Sequence, residues 1–375
     1  MKISRIRIYQ PKKYNPHINQ SDRIVTVETD EGSVGIGEGG TPDTLTQCAE
    51  AIIGEDPDRI QHLWQLMYRG WFYPAGREKL HALGAIDLAL WDLKGKMLNA
   101  PVYQLLGGLT RNYVECYSTG FPWEGSLAKT AQACVDAGFR AFRTAVADAV
   151  DGKFDARRMT EQTAADCRQV AEAVRGKGDW AVDYHTRLDM ADAVRLSTLI
   201  EPLNPLFVED PLRSENPAVL ATLRTQVKVP IAVGEQFGDR WDIHELIERH
   251  LIDYTRVTLP NVGGITEFMK IAALCETHYI GMIPHFTGPI SLAALVHVLS
   301  ALPIPAIVEI AGDSPKLPPH LSQGCTFREG KLWPSSLPGL GVEFDPAGAD
   351  LITEITKHNA PIPIYRRPDG SYTNW

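Results

Sequence analysis

Three short runs decide the fold, and each is apolar with an acidic residue near its end: WAVDYH at 180–185, LFVEDP at 206–211 and PIAVGE at 230–235. The acidic residues are Asp183, Glu209 and Glu235, and successive ones are 26 residues apart. That interval holds a strand, a helix and their connections, as a parallel crossover requires. The repeat therefore predicts consecutive βα units.

Five further runs of the same kind extend the series in both directions: VECYSTG from 114, AFRTAV from 141, YTRVTL from 254, GMIPH from 281 and AIVEI from 306. We expect a helical stretch after each run. Alternation of short β-rich runs with helices is typical of a parallel sheet. An open doubly wound sheet is the alternative, but eight regular units favour a closed TIM-like barrel with seven or eight βα units.

The segment before the barrel has a different pattern. Residues 2–12 and 22–37 alternate like strands, and helical periodicity follows at 42–53, 58–70 and 79–98. We therefore expect an α/β fold with three parts, namely an N-terminal α+β capping domain at 1–112, the barrel at 113–320 and a C-terminal segment at 321–375. The runs CTFREGKLW and GLGVEFD in that last segment are expected to return to the N-terminal unit.

Composition excludes several classes of protein. Apolar residues make up 44% and charged residues 22% of the chain, as in ordinary globular proteins. The net charge is −9 without a basic run, which argues against a nucleic-acid partner. Residues 286–308 carry no Asp, Glu, Lys or Arg, but prolines interrupt them, so we interpret them as buried barrel elements and not a membrane span. Six cysteines without a C-x-x-C pair indicate free thiols and a cytoplasmic location.

The acidic residues of the three deciding runs predict a metal site. In a βα barrel the active site lies at the carboxyl ends of the strands, where Asp183, Glu209 and Glu235 converge. Three carboxylates that close repel each other unless a cation lies among them. An all-oxygen ligand set with room for water and substrate suits Mg²⁺.

Other polar residues end neighbouring runs and are candidates for the chemistry. His185 follows Asp183 by two residues, so on a strand both side chains share a face. His285 ends the seventh run, Glu309 ends the eighth and Arg143 lies near the end of the second. Glu309 is either catalytic or an anchor behind the metal ligands, and Arg143 either acts on substrate or forms a structural ion pair.

A metal flanked by imidazoles suits carboxylate substrates. A bound cation stabilises the negative charge that develops when the α-proton leaves. A neutral histidine can remove that proton, and a protonated one can assist loss of a β-hydroxyl. Two histidine bases on opposite faces would instead give racemisation.

At this point the sequence resembles the enolase superfamily, in its mandelate racemase-like branch. The resemblance rests on GAIDLALWDLKGKMLNAPVYQLLGG at 84–108, GEQF at 234–237, LIDYTRVTLPNVGGITE at 251–267 and DGSYTNW at 369–375. The first motif is similar to acid-sugar dehydratases such as galactonate dehydratase, and the others to the mannonate dehydratase and starvation-sensing subgroup.

The resemblance implies that Asp183, Glu209 and Glu235 ligate Mg²⁺. It implies that His185 is the general acid and that His285 holds the position of the base. It also implies that capping-domain loops near 14–21 and 38–43 close over the substrate.

The chain departs from each subgroup. Many racemases carry Lys-x-Lys on the second strand, where this chain has Arg143 and Ala145. Galactonate dehydratase-like members pair the histidine with an Asp, and here Thr258 takes that position. Mannonate dehydratases supply a Tyr from a long loop after the second strand, and the chain has no Tyr between Thr144 and Asp179. Neither mechanism is complete.

We therefore expect a cytoplasmic Mg²⁺-dependent dehydratase that converts a sugar acid to a 2-keto-3-deoxy acid. Two alternatives stay open: an epimerase or cycloisomerase of the same superfamily, and a catalytically weak, starvation-sensing-like regulatory paralogue. The partner is a small-molecule sugar acid, with no nucleic acid or membrane. The resemblance implies a homo-oligomer, either a dimer or an octamer. Specificity resides in capping loops whose geometry the sequence does not reveal.

Overall fold

A computed structural model describes residues 1–12, 23–360 and 363–373. The expected eight-stranded parallel barrel is present, and its strands are β4 (Val114–Thr119), β5 (Ala141–Ala145), β6 (Asp179–Asp183), β7 (Val208–Glu209), β8 (Ile231–Val233), β9 (Tyr254–Thr255), β10 (Gly281–Met282) and β11 (Ile307–Ala311). Neighbouring strands pair in parallel from β4 to β10, and β11 pairs in parallel with β4. A parallel bridge between Met282 and Ala306 closes the ring.

Seven barrel strands are followed by a helix: α5 (Leu127–Asp136), α6 (Ala156–Val174), α7 (Met190–Ile200), α8 (Val219–Arg224), α9 (Arg240–Glu248), α10 (Ile265–Thr277) and α11 (Pro289–Ala301). Ser126, Asp155 and Asp239 cap α5, α6 and α9 by accepting an amide of the first turn. The uncharged stretch 286–308 contains α11 and the start of β11. No helix among the described residues is long and apolar enough to cross a membrane.

Large and small side chains alternate in the barrel interior. Tyr117 and Phe207 meet edge to face with ring centroids 5.6 Å apart, while Ala141, Ala181 and Ala232 leave room for them. Interdigitation of this kind fills a barrel as a core, leaving no pore. The six cysteines are all free thiols, as expected.

The capping domain begins the chain and consists of a meander followed by helices: β1 (Ile3–Pro11), β2 (Ile24–Thr29), β3 (Val34–Glu38), α1 (Pro42–Glu50), α2 (Ile60–Arg69), α3 (Arg77–Met97) and the short α4 (Val102–Leu105). The strands pair antiparallel in the order β1-β2-β3. A separate apolar core joins this sheet to α1, α2 and α3.

The C-terminal segment forms five short strands: β12 (Leu321–Gln323), β13 (Thr326–Arg328), β14 (Lys331–Trp333), β15 (Val342–Phe344) and β16 (Ala349–Ile355). One expectation was wrong here. The run CTFREGKLW forms the β13–β14 hairpin, which pairs antiparallel with barrel strand β4 and not with the N-terminal unit. The run GLGVEFD contains β15, which pairs with β12 and contacts the N-terminal unit, where the Phe344 and Tyr9 rings meet edge to face 5.2 Å apart. Only β16 joins the capping sheet, alongside β1. Local alternation gives no information on pairing partners, which tertiary packing selects.

Direct hydrogen bonds fix the cap on the barrel. Trp64 Nε1 donates to the Gly263 carbonyl at 2.8 Å, and Trp91 Nε1 donates to Thr266 Oγ1 at 3.0 Å. Asp92 is fully buried, and its carboxylate accepts the amides of Ile36 and Leu340. The cap is therefore held against the carboxyl-end loops of the barrel, where the candidate site lies.

One buried cap carboxyl leads to a test of stability. Asp87 Oδ2 accepts the Thr266 amide at 3.0 Å, and burial raises the pKa of Asp87 to about 7. Its unfolded pKa is about 3.9. The folded state therefore holds an extra proton between these values, and the free energy of unfolding falls as pH rises from about 4 to about 7.

Asp87→Asn removes this titration. The wild type should lose unfolding free energy between pH 4 and pH 8 through this group, and the variant should not. We therefore expect the difference in unfolding free energy, variant minus wild type, to rise by about 2–4 kcal/mol over this range. Urea unfolding at a series of pH values measures the difference. A difference that is independent of pH would contradict the assignment.

Candidate active site

The three deciding acids lie at the carboxyl ends of adjacent barrel strands. Asp183 and Glu209 are the last residues of β6 and β7 and are paired in register. Glu235 follows β8 by two residues. The side chains of Asp183 and Glu209 are almost completely buried, and that of Glu235 is 19% exposed.

A fourth acid, Asp210, joins them. Carboxylate oxygens of Glu209, Asp210 and Glu235 lie within 4.8 Å of one another, and no other such group occurs in the described parts of the chain. Sequence reasoning missed Asp210, because strand alternation would place it on the opposite face from Glu209. Its φ of 40° ends the strand and allows its carboxylate to join the cluster. The adjacent acids Glu209 and Asp210 in VEDP could have indicated that both belong to the site.

Asp183 lies beside this cluster and has other contacts. Its Oδ1 accepts the His185 amide at 2.6 Å, and its Oδ2 lies 3.0 Å from Arg143 Nη1. The same guanidinium nitrogen is 2.7 Å from Glu209 Oε2. Arg143 thus links Asp183 and Glu209, and the metal-binding role of both acids remains a prediction.

His185 reaches Asp183 by a route different from the expected one. The strand ends at Asp183, and His185 has a left-handed backbone with a φ of 47°. The two residues are therefore not on one strand face. The turn nevertheless brings Nδ1 of the imidazole within 3.3 Å of Asp183 Oδ2. This carboxylate raises the pKa of His185, whose side chain is 60% exposed.

His285 occupies a contrasting environment. It lies in the loop after β10, with Nε2 3.3 Å from Glu235 Oε2 and the ring packed against Phe286. Its side chain is 13% exposed, and burial lowers its pKa. The two histidines are therefore separated by environment, one held towards the protonated form and the other towards the neutral form.

A second arginine, Arg256, was not among the sequence candidates. It is fully buried, and its Nη2 lies 2.7 Å from both Glu209 Oε1 and Glu309 Oε2. Its Nη1 donates to the Tyr117 hydroxyl and to the Ile283 carbonyl. The run YTRVTL could have indicated it, because Arg256 is the one charged residue in that run, just as Arg143 is in AFRTAV.

Glu309 is held by several hydrogen bonds behind the cluster. Its Oε1 accepts from the Thr119 hydroxyl, and its Oε2 accepts from Arg256 and from the Phe286 amide at 3.1 Å. The two guanidiniums of Arg256 and Arg143 hold its pKa far below the usual value, despite burial. Of the two roles considered for Glu309, its contacts favour the anchor.

Thr258 is buried next to these residues. Its hydroxyl has no hydrogen-bond partner among the described residues. No acid therefore orients His285 from this position, and among the described residues Glu235 has a carboxylate oxygen 3.3 Å from the ring.

Among the described residues of the mouth, carboxyl groups outnumber guanidiniums by five to two: Asp183, Glu209, Asp210, Glu235 and Glu309 against Arg143 and Arg256. Burial and the neighbouring acids raise the pKa of Glu209 to about 8 and that of Asp210 well above its usual value. Without a cation these two carboxyl groups are held towards the protonated form, and a hard divalent cation such as Mg²⁺ among the clustered oxygens would replace the protons.

A cavity of about 630 Å³ lies between the cap and the barrel, and of the residues of the candidate site only Glu309 is part of its wall. Its wall includes residues 38–40 of the cap together with Phe286 and Glu309 of the barrel. This volume is in the range of small-molecule sites. The start of the loop expected near 38–43 therefore borders the cavity, whereas the loop expected near 14–21 lies outside the described residues.

Comparison with known proteins agrees with this architecture. The family profile "Enolase C-terminal domain-like" matches residues 126–348, and "Mandelate racemase / muconate lactonizing enzyme, N-terminal domain" matches residues 9–107. The chain belongs to the enolase superfamily. The capping domain and the barrel of this enolase-superfamily chain correspond to the two profiles.

Relatives within the superfamily are named as dehydratases. A D-galactonate dehydratase from Pectobacterium atrosepticum is 32% identical over 400 aligned positions that cover 100% of both chains. An Agrobacterium radiobacter enolase, provisionally named a galactarate dehydratase and solved with bound Na and L-malate, is 28% identical, with a TM-score of 0.82 over 99% of both chains. An enolase from Pantoea ananatis, solved with D-gluconate and Mg, is 25% identical, with a TM-score of 0.83 over 92% of this chain and 93% of that one.

The buried Arg256 provides a test of the charge balance. Arg256→Met keeps much of the side-chain volume but leaves Glu209 and Glu309 without their shared cation. We expect the free energy of unfolding in chelator to fall by about 3–5 kcal/mol. Denaturant unfolding measures it, with Arg249→Met as control. That control breaks an exposed pair with Glu245 and should cost less than about 1 kcal/mol. Equal losses in both variants would refute the role of Arg256.

Proposed function

We propose that this chain is a Mg²⁺-dependent hydro-lyase that dehydrates a sugar acid to a 2-keto-3-deoxy acid. The observation that carries the proposal is the cluster of Glu209, Asp210 and Glu235 at the barrel mouth, flanked by two histidines in different environments. The dehydratase names of the relatives support the same reaction class.

In this proposal Asp183, Glu209 and Glu235 hold the metal, and Asp210 is a further oxygen donor within reach. Bound Mg²⁺ supplies positive charge that stabilises the negative charge developing on the substrate carboxylate. The excess of carboxylates over guanidiniums at the mouth supports this assignment. Arg143, in contact with Asp183 and Glu209, would orient the ligands and the substrate.

The two histidines divide the proton transfers. His285, buried and in contact with Glu235, would accept the α-proton of the substrate. His185, in contact with Asp183 and exposed towards solvent, would donate a proton to the departing β-hydroxyl, which leaves as water. The enol that forms tautomerises to the 2-keto-3-deoxy acid. One proton is taken and one is given, so the reaction needs no other reactant.

The dehydratase names of the relatives favour dehydration over the epimerase alternative. The substrate class is a polyhydroxylated monoacid or diacid, as the galactonate, galactarate and gluconate of the relatives' names suggest. A homo-oligomer and a cytoplasmic location remain predictions.

The metal assignment is tested with Glu209→Gln, which removes one ligand charge without changing side-chain volume. We expect loss of dehydration and a Mg²⁺ affinity reduced by at least about tenfold, since a buried anionic donor is lost. Isothermal titration with Mg²⁺ measures binding independently of activity. Glu245→Gln on the exposed face of α9 is the control. Unchanged Mg²⁺ binding by Glu209→Gln would show that Glu209 is not a ligand.

The acid and base assignments are tested together. His185→Asn should abolish dehydration but retain exchange of the α-proton with solvent deuterium, whereas His285→Asn should suppress both. Semicarbazide detects the α-keto product, and NMR detects the exchange. His244→Asn on the exposed surface of α9 is the control. Full exchange by His285→Asn would show that another group takes the proton.

A further inference from the structure

The cap contacts the barrel with two carboxylates placed in the same way. Asp87 Oδ2 accepts the Thr266 amide in the first turn of α10, and Glu38 Oε1 accepts the Ser291 amide in the first turn of α11 at 2.8 Å. A carboxylate at this end of a helix satisfies an amide that lacks an intrahelical partner and interacts favourably with the helix dipole.

A glycine precedes each of these helices, and the carboxylate lies directly over it. A Cβ built on Gly264 would be 2.4 Å from Asp87 Oδ2, and one built on Gly288 would be 2.3 Å from Glu38 Oε1. Only glycine permits either approach. Each contact therefore requires two particular residues, a carboxylate in the cap and a glycine in the barrel.

Helix α11 depends on this external carboxylate because it has none of its own. Its N-cap is Gly288, which offers no side-chain oxygen, and its first turn contains no acid. Residues 286–308 contain no charged side chain at all. Glu38, at the end of β3 and 4% exposed, supplies the acceptor from 253 residues away in sequence.

The same contact ends the segment that carries His285. The preceding backbone is held at separate points along its length. The His285 amide donates to the Arg256 carbonyl at 3.3 Å, and the Phe286 amide donates to Glu309 at 3.1 Å. Further along the chain, the Ser291 amide donates a hydrogen bond to Glu38 Oε1. The barrel thus fixes the inner end of the segment, and the cap fixes its outer end.

We propose that Glu38 of the cap is a positioning residue for His285, which acts by fixing the start of α11 and hence the 285–288 segment beside Glu235. The catalytic part of this inference rests on the proposed function, whereas the structural part does not. Because misplacing a reacting group by about 1 Å can cost about 100-fold in rate, the cap would in this way contribute to the chemistry.

Hydrogen exchange tests the structural part without a substrate. Glu38→Ala should speed exchange of the amides in 286–292 by about 5- to 30-fold, as expected for loss of a helix cap. Glu38→Gln keeps an acceptor oxygen and should restore most of the protection; it also serves if the alanine variant does not fold. Asp87→Ala is the matched control and should affect only the start of α10.

A second substrate-free measurement follows the imidazole itself. In protein labelled with ¹³C-histidine, the ring resonance of His285 is identified by its loss in His285→Asn. It should shift or broaden in Glu38→Ala and stay unchanged in Asp87→Ala. Unchanged exchange and an unchanged resonance in Glu38→Ala would overturn the proposal. Equal effects in Asp87→Ala would also overturn it, because they indicate general loosening of the cap.

Kinetics on a turned-over sugar acid test the catalytic part. Glu38→Ala should lower kcat by about 10- to 100-fold with KM within about threefold, and Glu38→Gln should recover most of the loss. A raised KM with unchanged kcat would overturn positioning, because Glu38 borders the cavity and would then bind substrate directly. If the wild type turns over no sugar acid, the proposed function fails, and the exchange and resonance data still decide the role of Glu38.

Discussion

The crowding of carboxylates at the barrel mouth is the constraint on which the rest of the site depends. Like charges brought together out of water destabilise a fold unless cations compensate them. Arg143 and Arg256 supply part of the compensation, each linking two or more acids. The remaining negative charge favours a bound metal. The same crowding of carboxyl groups therefore explains the buried arginines and favours a metal site, whereas the two histidines differ because Asp183 raises the pKa of His185 and burial lowers that of His285.

The cap contacts the barrel near this charged region through two buried carboxyl groups. Each of two cap carboxylates lies on the first turn of a barrel helix, over a glycine that allows the approach. The helices concerned follow the strands that lead to Arg256 and His285. The same contacts thus dock the cap on the barrel and fix the starts of the helices that follow Arg256 and His285. In the proposal made above, Glu38 therefore positions His285 from the domain that does not carry it, while the Arg256 carbonyl and Glu309 hold the same segment from the barrel.

Much of the fold was predictable because its pattern is local. Eight apolar runs with helices between them indicated the barrel, and their acidic ends indicated which edge carries the site. The C-terminal runs were predicted as strands, but CTFREGKLW was expected to return to the N-terminal unit and instead pairs with barrel strand β4, since alternation encodes a strand and not its partner. At the site, Asp210 and Arg256 escaped notice for related reasons. A left-handed residue reverses the expected face of Asp210, and Arg256 is recognisable only by the acids that surround it.

The sequence by itself determined the repeat of βα units, the superfamily resemblance and the acids and histidines available for chemistry. Period, spacing and residue type within short segments are enough for that. Only the tertiary structure decided which charges meet. Arg256 contacts acids 47 residues before it and 53 after it, and Glu38 contacts an amide 253 residues away. Such contacts depend on barrel closure and cap docking, which bring together groups whose separation along the chain carries no trace of their proximity.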